Sequence, residues 1–496
     1  MNQARQQPDF DPIDRQGLIE RLRAILPESA VLHAAEDLRP YECDGLSAYR
    51  ALPLVVALPE RVDQVQAILR LCQELRVPVV ARGAGTGLSG GALPHSDGVL
   101  LSLARFNRIL EVDPQRRLAR VQPGVRNLAI SEAAAPHGLY YAPDPSSQIA
   151  CTIGGNVAEN SGGVHCLKYG LTVHNLQQLR MVTIEGELLT IGGEGLDAPG
   201  YDLLALMTGS EGMLGVIVEV TVKLLPQPQR AQVVLAAFDD VVKAGSAVGS
   251  IIAAGIIPAG LEMMDRLAIR AAEDFVHAGY PVDAEAILLC ELDGTNEEVS
   301  EQVFRVREIL NASAATEVRT AKNDAERAMF WKGRKAAFPA VGRISPDYYC
   351  MDGTIPRKRL PEVLGAISEL SARYGLAVAN VFHAGDGNLH PLILYDANKP
   401  GELERTEEFG GRILELCVEA GGTITGEHGV GMEKINQMCV QFESAELTQF
   451  HAVKAAFDPD ALLNPGKAVP TLHRCAELGA MHVHRGKLAF PELERF

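Results

Sequence analysis

The hydrophobic positions of the chain change spacing several times, and each change marks a predicted element. Within residues 1–50, apolar residues recur at helical spacing and predict a helical arm behind a polar lead-in: Leu18, Ile19, Leu22 and Ile25. An apolar run at 54–59 then precedes helical spacing over 62–75 and a second apolar run at 77–81. This part of the chain is therefore predicted to form a strand, a helix and a strand.

Further strands are predicted up to an alternating run at 215–225. The stretch PQPQRAQ at 226–232 interrupts both periodicities with two prolines, so a domain boundary is placed there. Beyond it, helices are predicted from 241, near 296–310 and near 360–373, and strands at 286–292, 348–355, 377–384 and 389–395. Such a mixture is typical of an α+β domain with helices on one side of a mostly antiparallel sheet.

The charge of the chain excludes one class of partner. Lys and Arg number 46 against 63 Asp and Glu, a net charge of −17, whereas nucleic-acid binders usually present a basic field. No apolar leader precedes the first helix and no run reaches the ~18 apolar residues of a transmembrane span, so we expect a cytoplasmic protein. The nine cysteines include no clustered motif for an iron–sulfur centre.

The densest glycine signal is the segment RGAGTGLSGGA at 82–92, which follows the predicted strand at 77–81. Its glycines satisfy the G-x-G-x-x-G pattern of dinucleotide-binding Rossmann folds. A Rossmann loop runs directly into a helix, but the next residues, LPHSDG at 93–98, contain a proline and an Asp-Gly pair that would break it. A Rossmann NAD enzyme is therefore the weaker alternative.

Two more loops of small residues lie in the same region, at 143–163 and 209–215. Successive backbone N–H groups in such loops can bind phosphate where glycine leaves the backbone accessible. One such loop is usually only a tight turn. Three in one domain predict a long, flat, phosphate-bearing ligand that lies against the backbone.

These segments together resemble the FAD-binding domain of the vanillyl-alcohol oxidase and p-cresol methylhydroxylase flavoprotein family. The resemblance rests on RGAGTGLSGGA, on DPSS and TIGGNVAENSGG within 144–163, and on GSEGMLGVI at 209–217. Within the family, the chain is similar to the FAD subunits of bacterial glycolate oxidase and to D-lactate and D-2-hydroxyglutarate dehydrogenases. The similarity runs from about Leu54 to Lys467.

The resemblance implies an α+β fold in which a PCMH-type (p-cresol methylhydroxylase-type) FAD-binding domain precedes an α+β substrate domain. The substrate domain, or cap, would have an antiparallel sheet and a C-terminal helical segment. The expected domains are an N-terminal helical arm at 1–50, the FAD-binding domain at 51–228, the substrate domain with a metal site and a C-terminal FAD-contacting segment at 229–470, and a tail at 471–496.

The resemblance also implies FAD, with its pyrophosphate on Gly83–Gly91 and its ring against the loops at 143–163 and 209–217. Relatives that attach FAD covalently use a histidine in the first glycine loop, and this chain has none between Arg82 and Leu93, so non-covalent FAD is expected. The residues expected to bind FAD are Arg82, Gly83, Ala84, Gly85, Thr86, Gly87, Leu88, Ser89, Gly90, Pro143, Asp144, Thr152, Gly154, Gly155, Asn156, Asn160, Ser161, Gly162, Gly163, Glu211, Gly212, Gly215, Val216, Ile217 and Asn464.

The sharpest local signal for chemistry is VFHAGDGNLHP at 381–391. Asp386 and Gly387 between apolar runs predict a two-residue hairpin turn, which would place His383 directly opposite His390. Directly opposed residues have Cβ atoms about 4.5–5.5 Å apart, a spacing that suits two imidazoles on one metal ion. The alternative is a chance pair of core histidines, but histidines are scarce, 13 in 496 residues.

A second segment, GTITGEHGVG at 422–431, offers Glu427 and His428 between glycines. Taken alone, it could be a surface turn with a solvated pair. H-x-G-D-G-N-x-H and G-E-H-G are motifs shared with the 2-hydroxy-acid dehydrogenases, and this resemblance implies that His383, His390 and Glu427 are metal ligands and His428 the base. Such a set leaves coordination positions open, and zinc, manganese and iron all accept it.

Three further residues bear on the substrate. Arg334 resembles the family's arginine for the substrate carboxylate, although a solvated helix face with Lys332 and Lys335 is the alternative. Asn388 could hydrogen-bond the substrate. Cys350 stands roughly where relatives that act on larger diacids carry a lysine, which favours a small substrate such as glycolate or lactate.

The expected function is FAD-dependent oxidation of glycolate or a small (R)-2-hydroxy acid such as D-lactate to the 2-oxo acid. The proton would leave with the help of a divalent metal, and the hydride would go to flavin N5. The alternatives are a D-2-hydroxyglutarate dehydrogenase, a non-catalytic flavin-binding electron-transfer subunit and a non-haem iron oxygenase. The resemblance implies companion flavoprotein and iron–sulfur subunits, with membrane association at most peripheral and through those partners.

Overall fold

The computed structural model describes residues 10, 12–193, 195 and 200–470, and the backbone of 483–484 and 487–488. The chain forms two compact units. The first unit comprises Met1–Gly162, Leu171–Pro226 and Glu427–Phe496, and the second comprises Gly163–Gly170 and Gln227–Gly426. The domain ranges given above stay a prediction. The predicted tail at 471–496 lies outside the described residues, apart from the short backbone stretches named here.

A four-stranded sheet forms around the predicted strand, helix and strand of the first unit. Its strands are β1 (Val31–Leu32), β2 (Val55–Ala57), β3 (Val79–Arg82) and β4 (Val99–Ser102), in the order β1-β2-β4-β3. Strands β2, β3 and β4 run parallel, and the helix Val62–Glu74 lies between β2 and β3 in sequence. This helix and the helix Arg15–Ile25 bury their apolar residues in one core with the sheet, as the apolar spacing predicts.

The first unit also has a five-stranded antiparallel sheet. Its strands are β5 (Ile109–Asp113), β6 (Leu118–Val121), β8 (Leu176–Val182), β9 (Leu188–Gly192) and β10 (Val216–Lys223), in the order β5-β6-β10-β8-β9; a separate pair consists of β7 (Leu139–Tyr140) and β11 (Leu225–Pro226). The valines of β10 alternate into the core while its polar residues face outward. The alternation read from the sequence therefore defines the buried face.

The remaining described α-helices of the first unit are Ala35–Leu38, Asn127–Ala134, Ile153–Glu159, Leu203–Met207, Ile435–Gln441 and the longer Ser444–Phe457. One of them corrects the sequence analysis, which treats 143–163 as a loop throughout. Residues Ile153–Glu159 are helical despite two glycines, and Asn160 ends the helix in the left-handed conformation at φ 53°. Asparagine tolerates this conformation, which explains the stop.

The second unit is built on an eight-stranded antiparallel sheet. Its strands are β12 (Arg230–Phe238), β13 (Gly260–Asp265), β14 (Ala286–Gly294), β15 (Glu317–Thr320), β16 (Asp347–Cys350), β17 (Gly353–Thr354), β18 (Val378–His383) and β19 (Asn388–Tyr395). The order is β15-β12-β14-β13-β18-β19-β16, and β17 also pairs with β19. The predicted antiparallel sheet is confirmed, but β12, β13 and β15 are additional to the predicted strands.

Helices accompany this sheet in the second unit and include the three that the sequence predicts from 241, near 296–310 and near 360–373. They are Cys166–Tyr169, Val241–Ala253, Arg266–Val276, Asn296–Ala312, Asp324–Lys335, Ala337–Val341, Leu360–Tyr374 and Glu402–Glu419. The expected α+β class is therefore confirmed.

Two short strands, β20 (Val483–His484) and β21 (Lys487–Leu488), pair near the end of the chain. Among the described residues, every helix is too short or too polar to cross a bilayer.

Candidate active site

The glycine segment at 82–92 leaves strand β3 and makes close backbone approaches. Arg82 is buried, and its Nη1 donates hydrogen bonds to the carbonyls of Tyr41 at 3.3 Å and Cys43 at 2.7 Å. A Cβ at Gly83 would lie 2.2 Å from Thr152 Oγ1, so only glycine fits there. Between β3 and β4 the described chain forms turns and no helix, so the Rossmann arrangement is absent, as the Pro and Asp-Gly signals predict.

The loop that begins at Pro143 is held by a buried asparagine. Asn127 Nδ2 donates to the Pro143 carbonyl and to Asn156 Oδ1, both at 3.0 Å. Asn156 lies in the helix Ile153–Glu159 and is itself buried. Two of the predicted FAD residues, Pro143 and Asn156, are therefore held by hydrogen bonds within the first unit.

The third predicted FAD-binding segment, at 209–217, is hydrogen-bonded to the residues that follow His428. The buried Glu211 carboxylate accepts hydrogen bonds from the backbone N–H groups of Val430 and Gly431, both at 2.7 Å. Burial raises the pKa of Glu211, and these two donors oppose the shift. The Ser89 carbonyl also accepts from the next two backbone N–H groups along the chain, at 2.9 and 3.0 Å. The segment after His428 is thus tied to two of the three predicted FAD loops.

Two residues of the segment LNPGK at 463–467 join the same network. Asn464 Nδ2 donates to the carbonyls of Gly91 at 3.0 Å and Glu211 at 2.6 Å. Lys467, which the sequence analysis does not select, is buried and donates to the carbonyls of Gly91 at 2.9 Å and Leu93. Burial lowers the pKa of Lys467 to about 7, and nearby carboxylates oppose the shift.

The first unit fits the cofactor that the sequence predicts. Ser89 Oγ, Thr152 Oγ1 and Asn464 Oδ1 are buried and, among the described residues, have no hydrogen-bond partner. A buried polar atom left unpaired costs free energy, and native proteins usually satisfy it with a bound group or water. All three atoms belong to segments expected to contact FAD, so a polar ligand here would satisfy them.

The histidine hairpin has a different register from the predicted one. His383 pairs with Asn388 and His390 pairs with Val381, so the predicted pairing of His383 with His390 is wrong. Residues 384–387 form a four-residue turn rather than the predicted two-residue turn at Asp386 and Gly387. The shift is two residues, an even number, so both histidines still point to one face. Their ring centroids are 5.0 Å apart, and both residues are buried.

A buried carboxylate lies beside the first histidine. Glu262 of β13 is 1% exposed, and its Oε1 is 2.8 Å from His383 Nδ1. Its Oε2 is 2.6 Å from Nη2 of Arg334, also 1% exposed. Burial opposes ionisation of Glu262, but the charges of His383 and Arg334 outweigh it and lower the pKa. Glu262 lies in none of the sequence motifs described above.

The burial of Arg334 contradicts the alternative of a solvated helix face. Arg334 lies in the helix Asp324–Lys335, whose neighbouring Lys332 is exposed. Nε and Nη1 of Arg334 have no hydrogen-bond partner among the described residues. A guanidinium presents these donors in a fixed plane that matches a carboxylate. Arg334 is therefore equipped to bind an anionic group inside the second unit.

A second buried carboxylate, that of Asp352, lies near His390. Asp352 is fully buried, and its Oδ1 is 3.9 Å from His390 Nδ1. Its Oδ2 accepts hydrogen bonds from Thr425 Oγ1 at 2.7 Å and from the Gly426 N–H at 3.1 Å. A Cβ at Gly426 would lie 2.3 Å from Asn388 Oδ1, so glycine is required there. Asp352 thus fixes the backbone immediately before Glu427.

The predicted site residues fall in both units. His383, His390, Asn388 and Arg334 lie in the second unit, whereas Glu427 and His428 lie in the first. Of the residues expected to bind FAD, all lie in the first unit except Gly163. Glu427 is buried and His428 partly exposed, and His428 Nε2 is 3.8 Å from Glu427 Oε1. The assigned roles stay predictions.

Comparison with known proteins gives consistent matches along the chain. Residues 53–192 match the family described as "FAD binding domain", and residues 227–468 match "FAD linked oxidases, C-terminal domain". The glycolate oxidase subunit GlcD of Escherichia coli (strain K12) is 70% identical, with 98% of this chain and 97% of the relative covered. A D-lactate dehydrogenase of Archaeoglobus fulgidus is 34% identical, with 84% and 92% covered.

A solved structure supports the fold. The crystal structure of p-cresol methylhydroxylase with substrate bound aligns with a TM-score of 0.78 over 92% of this chain and 97% of that chain, at 17% identity. The predicted PCMH-type fold and the predicted FAD-binding domain are thereby confirmed. The matches do not support the Rossmann or iron-oxygenase alternatives. The chain belongs to the FAD-linked oxidase family and is an FAD-dependent oxidoreductase.

Proposed function

We propose that the protein oxidises glycolate, or a small (R)-2-hydroxy acid such as D-lactate, to the 2-oxo acid with non-covalent FAD. The observation that carries the proposal is the pair of buried histidines on one face of a hairpin, with a buried arginine joined to one of them through Glu262. That set provides ligands for a cation and a clamp for a carboxylate. The relatives named above act, by their names, on glycolate and D-lactate.

FAD would be held by the three segments of the first unit. The glycines of 82–92 expose backbone N–H groups for the pyrophosphate, and Ser89, Thr152 and Asn464 offer buried polar atoms. No histidine lies between Arg82 and Leu93, which supports non-covalent binding. Bound FAD would supply the hydride acceptor, and a bound divalent cation would make the substrate hydroxyl more acidic.

His383, His390 and Glu427 are proposed to hold the cation. The donor chemistry fits, since two imidazoles and one carboxylate suit zinc, manganese or iron(II) and leave coordination positions open for a substrate. His383 presents Nε2 because its Nδ1 faces a carboxylate. Glu427 follows Gly426, whose backbone is held by buried Asp352.

The remaining residues would bind the substrate and move its proton. Arg334 would take the substrate carboxylate with its unpaired Nε and Nη1 donors, and Asn388 would hydrogen-bond the substrate. His428 is proposed to accept the proton of the α-hydroxyl, because an imidazole has an intrinsic pKa near neutrality. Buried Cys350 lacks the cationic side chain that would pair with a second carboxylate, which favours substrates without one.

An anaerobic screen of hydroxy acids tests the proposed activity directly. Glycolate and D-lactate are expected to bleach the visible band of the bound flavin. D-2-hydroxyglutarate is expected to react at least tenfold more slowly, because Cys350 has no cationic group to pair with its second carboxylate. Failure of all small 2-hydroxy acids to bleach the flavin would overturn the proposal and favour a non-catalytic electron-transfer subunit. Faster bleaching by D-2-hydroxyglutarate would overturn the substrate assignment.

Arg334→Lys is expected to raise the KM for glycolate by about 10²-fold, with a smaller loss in kcat. Lysine keeps the charge beside Glu262 but loses the planar fork, and a bidentate charged contact contributes about 1.5–3 kcal/mol. Steady-state kinetics with an artificial electron acceptor measure both constants. Lys332→Met, on the exposed face of the same helix, is the matched control. An unchanged KM in Arg334→Lys would remove the clamp from the proposal.

Lys467→Met is expected to weaken FAD binding at least tenfold. Methionine leaves the Leu93 carbonyl without its buried donor and removes one of the two side-chain donors to the Gly91 carbonyl, and an unsatisfied buried group costs about 1–3 kcal/mol. The dissociation constant of apo-protein for FAD, from the quenching of flavin fluorescence, measures the effect. Lys399→Met, at an exposed position, controls for loss of a lysine. Equal affinity in the two variants would contradict the role of Lys467.

The acceptor of the electrons is proposed to lie outside the chain. The sequence has no iron–sulfur motif, so the electrons must pass to a quinone, a partner protein or oxygen. The E. coli relative is named as a subunit, which supports companion flavoprotein and iron–sulfur subunits for this chain as well. Any contact with a membrane would be peripheral and through such partners.

A further inference from the structure

We propose that Glu262 is a positioning residue that joins the metal site to the substrate-carboxylate site. It would hold His383 in the tautomer that binds a cation and hold Arg334 in the orientation that binds an acid. The proposal rests on the function proposed above. It adds a residue that neither histidine motif contains, contributed by a separate strand.

The position of Glu262 in the sheet places it against His383. Strand β13 pairs with β18 in antiparallel register, with Met263 opposite Phe382. One step along that register, Glu262 lies opposite His383, and the two side chains meet at 2.8 Å. Neighbouring residues of β13 are apolar and buried, so the carboxylate is surrounded by protein. A buried carboxylate in such a strand is stable only with charged or donating partners.

The two oxygens of Glu262 have separate partners. Oε1 faces His383 Nδ1, and because an ionised carboxylate only accepts hydrogen bonds, Nδ1 must carry the hydrogen. The lone pair of His383 then lies on Nε2, the atom left to bind a cation. Carboxylate–histidine pairs of this kind orient metal-binding imidazoles in many proteins and raise their basicity.

The second oxygen forms an ion pair with the arginine and leaves its hydrogen-bond donors available. Oε2 lies 2.6 Å from Arg334 Nη2. Among the described residues, none of the three guanidinium nitrogens has a partner in hydrogen-bond geometry. Glu262 thus compensates the buried positive charge and keeps the guanidinium in place before a substrate arrives. Preorganisation of this kind saves the ordering that a free side chain would undergo on binding.

One carboxylate therefore sets the geometry of both groups. Loss of its charge would affect the cation and the acid together, whereas loss of Arg334 alone would affect only the acid. A residue with a merely structural role would lower stability and leave both affinities unchanged in the folded protein. The joint effect on two ligands distinguishes the positioning role.

Glu262→Gln tests the proposal with two ligands measured separately. Glutamine keeps the size of the side chain but can direct its N–H₂ group at His383 or at Arg334. We expect the affinity of metal-free protein for Mn²⁺, followed by electron paramagnetic resonance, to fall 10- to 100-fold. We expect the apparent dissociation constant for glycolate, from anaerobic flavin reduction in Mn²⁺-saturated protein, to rise at least tenfold.

Glu291→Gln is the matched control, because Glu291 is a buried carboxylate in the adjacent strand β14. Its Oε2 accepts a hydrogen bond from Trp331 Nε1. It is expected to retain both affinities. Glu262→Asp provides a second variant should the glutamine variant fail to fold, since it keeps the charge with a shorter reach. Aspartate is expected to weaken Mn²⁺ binding at least threefold.

The outcomes separate this inference from the proposed function. Wild-type protein that binds Mn²⁺ and is reduced by glycolate, with unchanged affinities in a folded Glu262 variant, would overturn the role of Glu262 alone. Wild-type protein that neither binds Mn²⁺ nor is reduced would overturn the proposed function and this inference with it. A loss of one affinity but not the other would contradict the joint role.

Discussion

Replacing His428 with alanine is expected to remove nearly all reduction of the flavin by glycolate, while the purified protein retains FAD. Loss of a positioned general base typically costs about 10²–10⁴-fold in rate, and alanine has no group to accept the α-hydroxyl proton. FAD should remain because the loop is held through backbone groups of Val430 and Gly431 on Glu211, not through the His428 side chain. Stopped-flow absorbance of the flavin under anaerobic conditions measures the rate.

The pH dependence of the same measurement gives a second criterion. In wild type, flavin reduction should fall as the pH drops below the pKa of the base, because the protonated imidazole cannot accept a proton. In His428→Ala this acid limb should be absent from the residual rate. His137→Ala, at an exposed position of the same unit, should behave as wild type. Full activity in His428→Ala would remove its role as the base.

In the histidine hairpin, the local sequence predicts the strands correctly but not the length of the turn. The apolar runs correctly predict two antiparallel strands with both histidines on one face. The Asp-Gly pair predicts a tighter turn than the chain forms, because a contact with another strand competes with the hairpin. The Gly385 N–H donates to the carbonyl of Leu261 in β13 at 3.0 Å, which removes residue 385 from the β18–β19 ladder. That partner is more than a hundred residues away, beyond any local rule.

Glu262 and Lys467 were not predicted because each is a single residue that belongs to no recognisable motif. Glu262 lies in the strand sequence GLEMMD, where an acid flanked by apolar residues marks a possible buried charge. Lys467 follows a proline and a glycine at the end of LNPGK, where a surface lysine is the ordinary expectation. Each residue acquires its importance from partners far away in the chain: His383 and Arg334 for Glu262, Gly91 and Leu93 for Lys467.

The proposal that Arg334 binds the substrate carboxylate depends on both the family resemblance and the structure. Its sequence context, between Lys332 and Lys335, is typical of a solvated helix face. Family resemblance selects Arg334 from the three cations, and burial then distinguishes it from exposed Lys332.

Strand β12 was not predicted because of the residues that surround it in the sequence. It begins within the Pro- and Gln-rich stretch assigned to a boundary, and its apolar residues 233–238 are too few to outweigh those neighbours.

Replacing His383 with alanine is expected to remove the divalent cation and, with it, flavin reduction by glycolate. The variant loses one of two imidazoles and leaves Glu262 Oε1 without its donor, so cation affinity should fall by at least 10²-fold. FAD should remain, since its predicted loops are held by contacts within the first unit, such as those of Asn464 with Gly91 and Glu211. Metal content by inductively coupled plasma mass spectrometry and the flavin spectrum of the same sample measure both effects.

Chelation and reconstitution then separate loss of the cation from loss of folding. Wild type stripped with a chelator should lose flavin reduction and recover it when Mn²⁺ or Zn²⁺ returns, whereas His383→Ala should not recover at the same concentration. His277→Asn is the control in the second unit, because His277 is exposed and asparagine tolerates its left-handed φ of 52°. If His383→Ala kept a full complement of metal, the cation would have to be bound elsewhere. If stripped wild type kept full activity, the chemistry would have to proceed from the substrate hydroxyl to His428 without a cation.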